Sequence, residues 1–218
     1  MNQEKEKGAS TLRQKLQKTY LQTVLEKGEP PKSVFSFCLE NEIDEESFYR
    51  EFSSLEGLGA SIFADAFDEV VRALKASPEY PEFLVRERFL ATYYAWFEKA
   101  LSLRSYALIQ LNPRKLPSEW SSLNQWKRKF KSWADECLNQ GVESGEIPGR
   151  SKLNNTYPDM LWLQFLFLNQ FWLKDESKGF EKTDEAVEKN LRLAFDLIEK
   201  NAVDSAFDLG KFIIQQMR

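Results

Sequence analysis

An all-α fold is expected from three features of the chain. Apolar residues recur at three- and four-residue spacing along most of its length, no run alternates in polarity as a half-buried strand would, and glycine or proline punctuates the periodic stretches. With 218 residues and 42% hydrophobic content, the chain can bury a sizeable core.

The elements follow in order. Leu12, Leu16, Tyr20, Val24 and Leu25 share one face of a first helix, expected from Ser10 or Thr11 to Gly28, with Pro30 and Pro31 barring continuation. Ahead of it, MNQEKEKGAS lacks the apolar core of a signal peptide and reads as a disordered arm. Two short helices joined by a tight turn occupy residues 28–58. A further helix opens near Ser53, where Ser53 and Glu56 suit a capping box, and ends near Ser77-Pro78. Another begins after Pro81 and carries Leu84, Phe89, Leu90, Tyr93, Phe97 and Leu101. Helical stretches are expected over 103–111, 118–141 and 157–173, and a last one runs from Thr183 toward the C-terminus.

Composition removes whole classes of chemistry. The chain contains no histidine, so Ser-His-Asp and Cys-His catalysis and the common zinc, iron and copper sites lose their imidazole. No glycine-rich phosphate loop occurs. An enzyme would have to work with carboxylates or lysines alone, and no catalytic residue, cofactor or metal is expected. Cys38 and Cys137 lie about a hundred residues apart in apolar helical patterns and read as reduced core residues, which favours the cytoplasm.

Residues 28–58, GEPPKSVFSFCLENEIDEESFYREFSSLEGL, carry a helix-turn-helix layout. Gly28 closes the first helix, Ser33-Val34 opens the second, Ile43 fills the turn, Ser47-Phe48-Tyr49 lies in the recognition helix, and Phe52, Ser54, Glu56 and Leu58 lead into the fourth. The stretch resembles the DNA-binding region of TetR-family transcriptional regulators. The resemblance implies a head over residues 1–55 and a ligand-binding and dimerisation body over 56–218. It also implies DNA contacts from Lys32, Ser33, Ser47, Tyr49 and Arg50. Several positions depart from the family pattern. Asp44, Glu45 and Glu46 stand where a small residue, a basic residue and a glycine are common; Glu42 replaces the usual turn glycine, and Phe35 an early basic or polar residue. Residues 1–60 hold eight Lys and Arg against eleven Asp and Glu, a poor charge for meeting phosphate.

The segment MLWLQFLFLNQFWL, residues 160–173, is apolar nearly all round. At 14 residues it is shorter than the roughly 20 that a membrane span needs, so no membrane partner is expected. A helix without a polar face must be covered on every side, and a second copy of the chain is the simplest cover, with a fully buried core helix in a monomer as the alternative. Leu166 and Phe171, with Leu191, Phe195 and Ile198 of the last helix, are the expected dimer contacts. The family resemblance implies the same homodimer, a four-helix bundle of the last two long helices.

Aromatic residues crowd the second half. Tyr93, Trp96, Phe97, Tyr106, Trp126, Phe130, Trp133, Trp162 and Phe165 are the candidate lining of a pocket for an apolar or aromatic small molecule or an acyl chain, as the resemblance implies. Plain core packing is the alternative for any one of them. Lys127, Arg128, Lys129 and Lys131 form a basic cluster, read as a solvated face or as an anion-binding patch. Two functions stay open: a TetR-like DNA-binding regulator controlled by an apolar ligand, or an apolar-ligand or lipid carrier of the same fold that has lost DNA binding.

Overall fold

Where the first helix ends, Gly28 adopts φ +74, and its N–H donates to Val24 O at 2.8 Å. That left-handed residue is the C-terminal stop that the sequence places there. A computed structural model describes residues 2–111, 123–148 and 156–199, which form nine α-helices and no strand. They are α1 (Asn2–Lys27), α2 (Val34–Glu40), α3 (Glu45–Glu51), α4 (Leu55–Lys75), α5 (Val85–Leu101), α6 (Arg104–Gln110), α7 (Asn124–Ser144), α8 (Tyr157–Lys174) and α9 (Glu181–Glu199).

Several boundaries differ from expectation, among them the end of α7 at Ser144 and the start of α9 at Glu181. The first helix starts at Asn2, because the Glu- and Lys-rich arm consists largely of good helix formers. α4 is capped by Ser54, whose Oγ accepts from the Gly57 N–H at 3.0 Å, one residue later than the Ser53 cap expected. Before α5, Tyr80–Glu82 forms a turn of 3-10 helix, and the α-helix begins at Val85. The expected helical residues 118–122, and everything after Glu199, lie outside the described residues.

The chain divides into two compact units, Met1–Glu69 with Lys99–Lys129, and Val70–Glu98 with Phe130–Arg218. The core of the first unit is a chain of rings. Tyr20 meets Phe37 edge-on at 6.1 Å, Phe37 meets Phe48 at 6.1 Å, and Tyr20 meets Tyr106 of α6 at 6.5 Å. Arg13 ties α1 to α4 through Asp65 at 2.9 Å and stacks its guanidinium over Phe52 at 4.5 Å. The first unit therefore takes in α6 as well as the helix-turn-helix head.

Phe89, Tyr93, Phe130, Trp133, Trp162 and Phe165 make up much of the second unit's core, and all six are buried. Phe130 stacks on Phe165 at 4.8 Å, Tyr93 meets Phe165 at 5.1 Å, and Phe89 meets Trp133 at 4.5 Å. Two of the buried polar side chains satisfy each other and the backbone: the Trp96 indole N–H donates to Asn169 Oδ1 at 2.9 Å, and Asn169 Nδ2 donates to Phe165 O at 2.8 Å. Cys38 and Cys137 are free and buried. Burial pushes the Cys137 thiol up to about 11, so it is protonated and inert at neutral pH.

Candidate DNA interface and ligand cavity

The head is built from its caps outward. Ser33 caps α2, its Oγ accepting from the Ser36 N–H at 3.1 Å. At the other end Glu42 takes φ +54, and the Ile43 N–H donates to Cys38 O at 2.9 Å, which closes α2 in a Schellman-type turn. Asp44 then caps α3, with Oδ2 accepting from the Ser47 N–H at 2.8 Å. Hydrogen bonds from Ser47 hold the Asp44 carboxyl below its ordinary pKa. Glu45 and Glu46 fill the first turn, where carboxylates complement the helix dipole. Phe48 is the buried anchor of α3, and Phe52 ends it, its N–H donating to Phe48 O at 2.9 Å.

The five candidate DNA contacts have separate fates. Lys32 and Ser33 are exposed at the start of α2, although the Ser33 hydroxyl is already engaged by Ser36. Ser47 is half-buried and gives its backbone N–H to the Asp44 cap. Tyr49 is 53% exposed, available on the outer side of α3. Arg50 pairs with Glu46 at 2.5 Å along the same helix, so its guanidinium has an internal carboxylate partner. Beside them, Phe35 and Leu39 stand 63% and 67% exposed, one turn apart on α2.

Eight of the nine candidate ligand residues, Tyr93, Trp96, Phe97, Trp126, Phe130, Trp133, Trp162 and Phe165, are buried among other rings. The ninth, Tyr106, is also buried but lines a cavity of about 440 Å³ in the first unit, together with Tyr20, Gly59, Phe63, Gln110 and Leu111. Tyr20 reads from the sequence as an ordinary core residue of the first helix. The one local signal beside it is Gly59, a glycine inside an apolar helical stretch, which by itself does not say what it faces. Of the basic cluster on α7, Lys129 reaches Asp68 at 3.3 Å and Lys131 reaches Asp159 at 2.9 Å, so both are committed to ion pairs.

The expected dimer contacts are mostly turned inward. Leu166, Leu191, Phe195 and Ile198 are buried within one chain, and Phe171 is half-buried. The same helices expose a different stripe: Leu163 and Phe167 on α8, at 64% and 50%, and Leu193 on α9, at 59%. Phe171 continues the α8 stripe, and Leu197, half-buried, continues that of α9.

A family model described as "Tetracyclin repressor-like, C-terminal domain" matches residues 88–213, more than half of the chain. The chain belongs to the tetracycline repressor-like, or TetR, family. Solved structures agree on the fold of this TetR-family chain. A TetR-family transcriptional regulator from Syntrophomonas wolfei is 16% identical with TM-score 0.63, over 85% of this chain and 96% of that one. The fatty acid degradation regulator FadR from Bacillus halodurans is 16% identical with TM-score 0.57, over 84% and 94%. FadR from Bacillus subtilis, solved in complex with stearoyl-CoA, is 15% identical with TM-score 0.56, over 81% and 96%. No curated protein matches the chain.

Proposed function

We propose that this TetR-family chain is a cytoplasmic, homodimeric DNA-binding regulator whose activity is set by a small apolar ligand. The observation that carries the reading is α3 itself: a seven-residue helix capped by Asp44, anchored by Phe48, with Tyr49 and Arg50 on its exposed side. Lys32 and Ser33 at the start of α2 provide backbone-phosphate chemistry, and Arg50 provides guanine or phosphate chemistry once released from Glu46. Two such heads in a dimer would meet half-sites about one helical turn apart. The dimer face is the α8–α9 stripe of Leu163, Phe167, Phe171 and Leu193. For the ligand, an apolar or acyl group is in keeping with the stearoyl-CoA held by the Bacillus subtilis relative; the rings around Tyr93, Trp162 and Phe165 pack on one another, so such a group would enter only where they part.

A second reading has its own observation. Asp44, Glu45 and Glu46 head α3, and Arg50 is neutralised by one of them, which favours a carrier of the same fold that no longer binds DNA. Selection of genomic fragments by the purified dimer at low salt separates the two. Enrichment of one sequence supports the regulator, whereas no enrichment, with an apolar compound detected by native mass spectrometry, supports the carrier.

A further inference from the structure

We infer that the cavity bordered by α1, α4 and α6 is a binding site for an uncharged, ring-bearing small molecule that carries a hydrogen-bond acceptor. Its volume of about 440 Å³ lies within the range of small-molecule sites. The walls explain the ring. Phe63 packs against Tyr106 at 5.4 Å and is stacked on Trp126 at 5.2 Å, so a rigid aromatic surface backs the space.

The acceptor follows from two phenols. Tyr106 Oη donates to Gly59 O at 3.3 Å, a long hydrogen bond. The Tyr20 side chain is 3% exposed, and its hydroxyl makes no hydrogen bond to a described residue. Tyr20 lines the cavity, so its hydroxyl can donate to an occupant that offers a carbonyl oxygen, and a hydrogen bond made there, away from most competing water, adds to affinity. Burial pushes the pKa of both phenols up, which keeps them protonated donors at any physiological pH. Lys32 and Glu56 are the charged residues among the described lining, both exposed and opposite in sign, so the site has no preference for an anion or a cation.

Gly59 makes the space. A Cβ there would lie 3.0 Å from Tyr20 Oη and 3.3 Å from Tyr106 Oη, against the two groups the ligand needs. The site is distinct from the ring cluster of the second unit, and its lining includes Lys32 and Ser33. An effect of occupancy on operator affinity rests on the proposed DNA-binding reading; occupancy itself does not.

The test is titration of the full chain, without DNA, with prodan, an uncharged naphthalene ketone whose emission moves to the blue when it is buried. Saturable binding at one probe per chain is expected. Tyr20→Phe, which keeps the ring and removes only an unpartnered hydroxyl, should weaken it about three- to tenfold. Gly59→Ala should weaken it as well, with circular dichroism melts reporting that both variants are folded. Absence of saturable binding, or equal affinity in wild type and both variants, overturns the proposal. Because DNA is left out, a failed search for an operator leaves the result intact, and a failed titration leaves the DNA reading intact.

Discussion

Glu42 holds a left-handed backbone, φ +54, at the turn between α2 and α3, where the family pattern has glycine. An L-residue in that region costs about 1–2 kcal/mol, while glycine loses about 0.5–1 kcal/mol more chain entropy on folding. The strain is the larger effect. Glu42→Gly should therefore stabilise the head by roughly 0.5 kcal/mol, seen in calorimetry as a small rise in Tm. At this scale the sequence was informative wherever backbone geometry dictates residue type. Gly28 as a helix stop and Ile43 as the residue that closes the turn are both legible, because each sits at a position set by local hydrogen bonding. The cavity was not legible, because Tyr20, Gly59 and Tyr106 lie on three helices and meet only after the chain has folded.

Between α8 and α9 the buried Asp175 carboxylate ties the corner together. Asp175 Oδ1 accepts from the Ser177 N–H at 2.8 Å and hydroxyl at 2.6 Å, and Oδ2 accepts from the Thr183 N–H at 2.9 Å and hydroxyl at 2.7 Å. Burial alone would raise its pKa, but the four donors outweigh it and hold the group at about 2, below the ordinary 3.8. A depressed folded-state pKa means that the stabilisation is complete above pH 3.8 and is lost as pH falls through about 2. The difference amounts to about 2 kcal/mol at neutral pH. Asp175→Asn should lower Tm by roughly 4–8 °C at pH 7, and melts taken between pH 4 and 2 should show the gap to wild type closing. These same helices show why part of the dimer assignment was out of reach. Residues 160–173 are apolar nearly all round, so spacing cannot say which stripe faces the protomer's own core. Folding buries Leu166 against the rest of the chain and leaves Leu163 and Phe167 outward. Introducing Glu at Leu163 and Phe167 together should give a folded monomer by sedimentation, whereas an unchanged dimer would move the interface elsewhere.

For the molecule as a whole, electrostatics decides between regulator and carrier. Charge meets phosphate through counterion release, so each cation engaged adds about −0.9 to the slope of log K against log salt. The head brings few cations, and one of them, Arg50, is held by Glu46 at 2.5 Å on its own helix. Glu46→Gln removes that competitor and one negative charge while leaving the Asp44 cap in place. On the proposed regulator reading, the variant dimer binds DNA more tightly than wild type at low salt, with a slope steeper by up to about 1.8 when both heads engage. The added affinity should be general, because a guanidinium released toward phosphate reads no base; a gain confined to one sequence would instead place Arg50 against a guanine edge. Fluorescence anisotropy with a selected and a scrambled duplex across a salt series measures both quantities. If neither affinity nor slope changes, Arg50 does not reach DNA, and the acidic start of α3 is there to cap a helix.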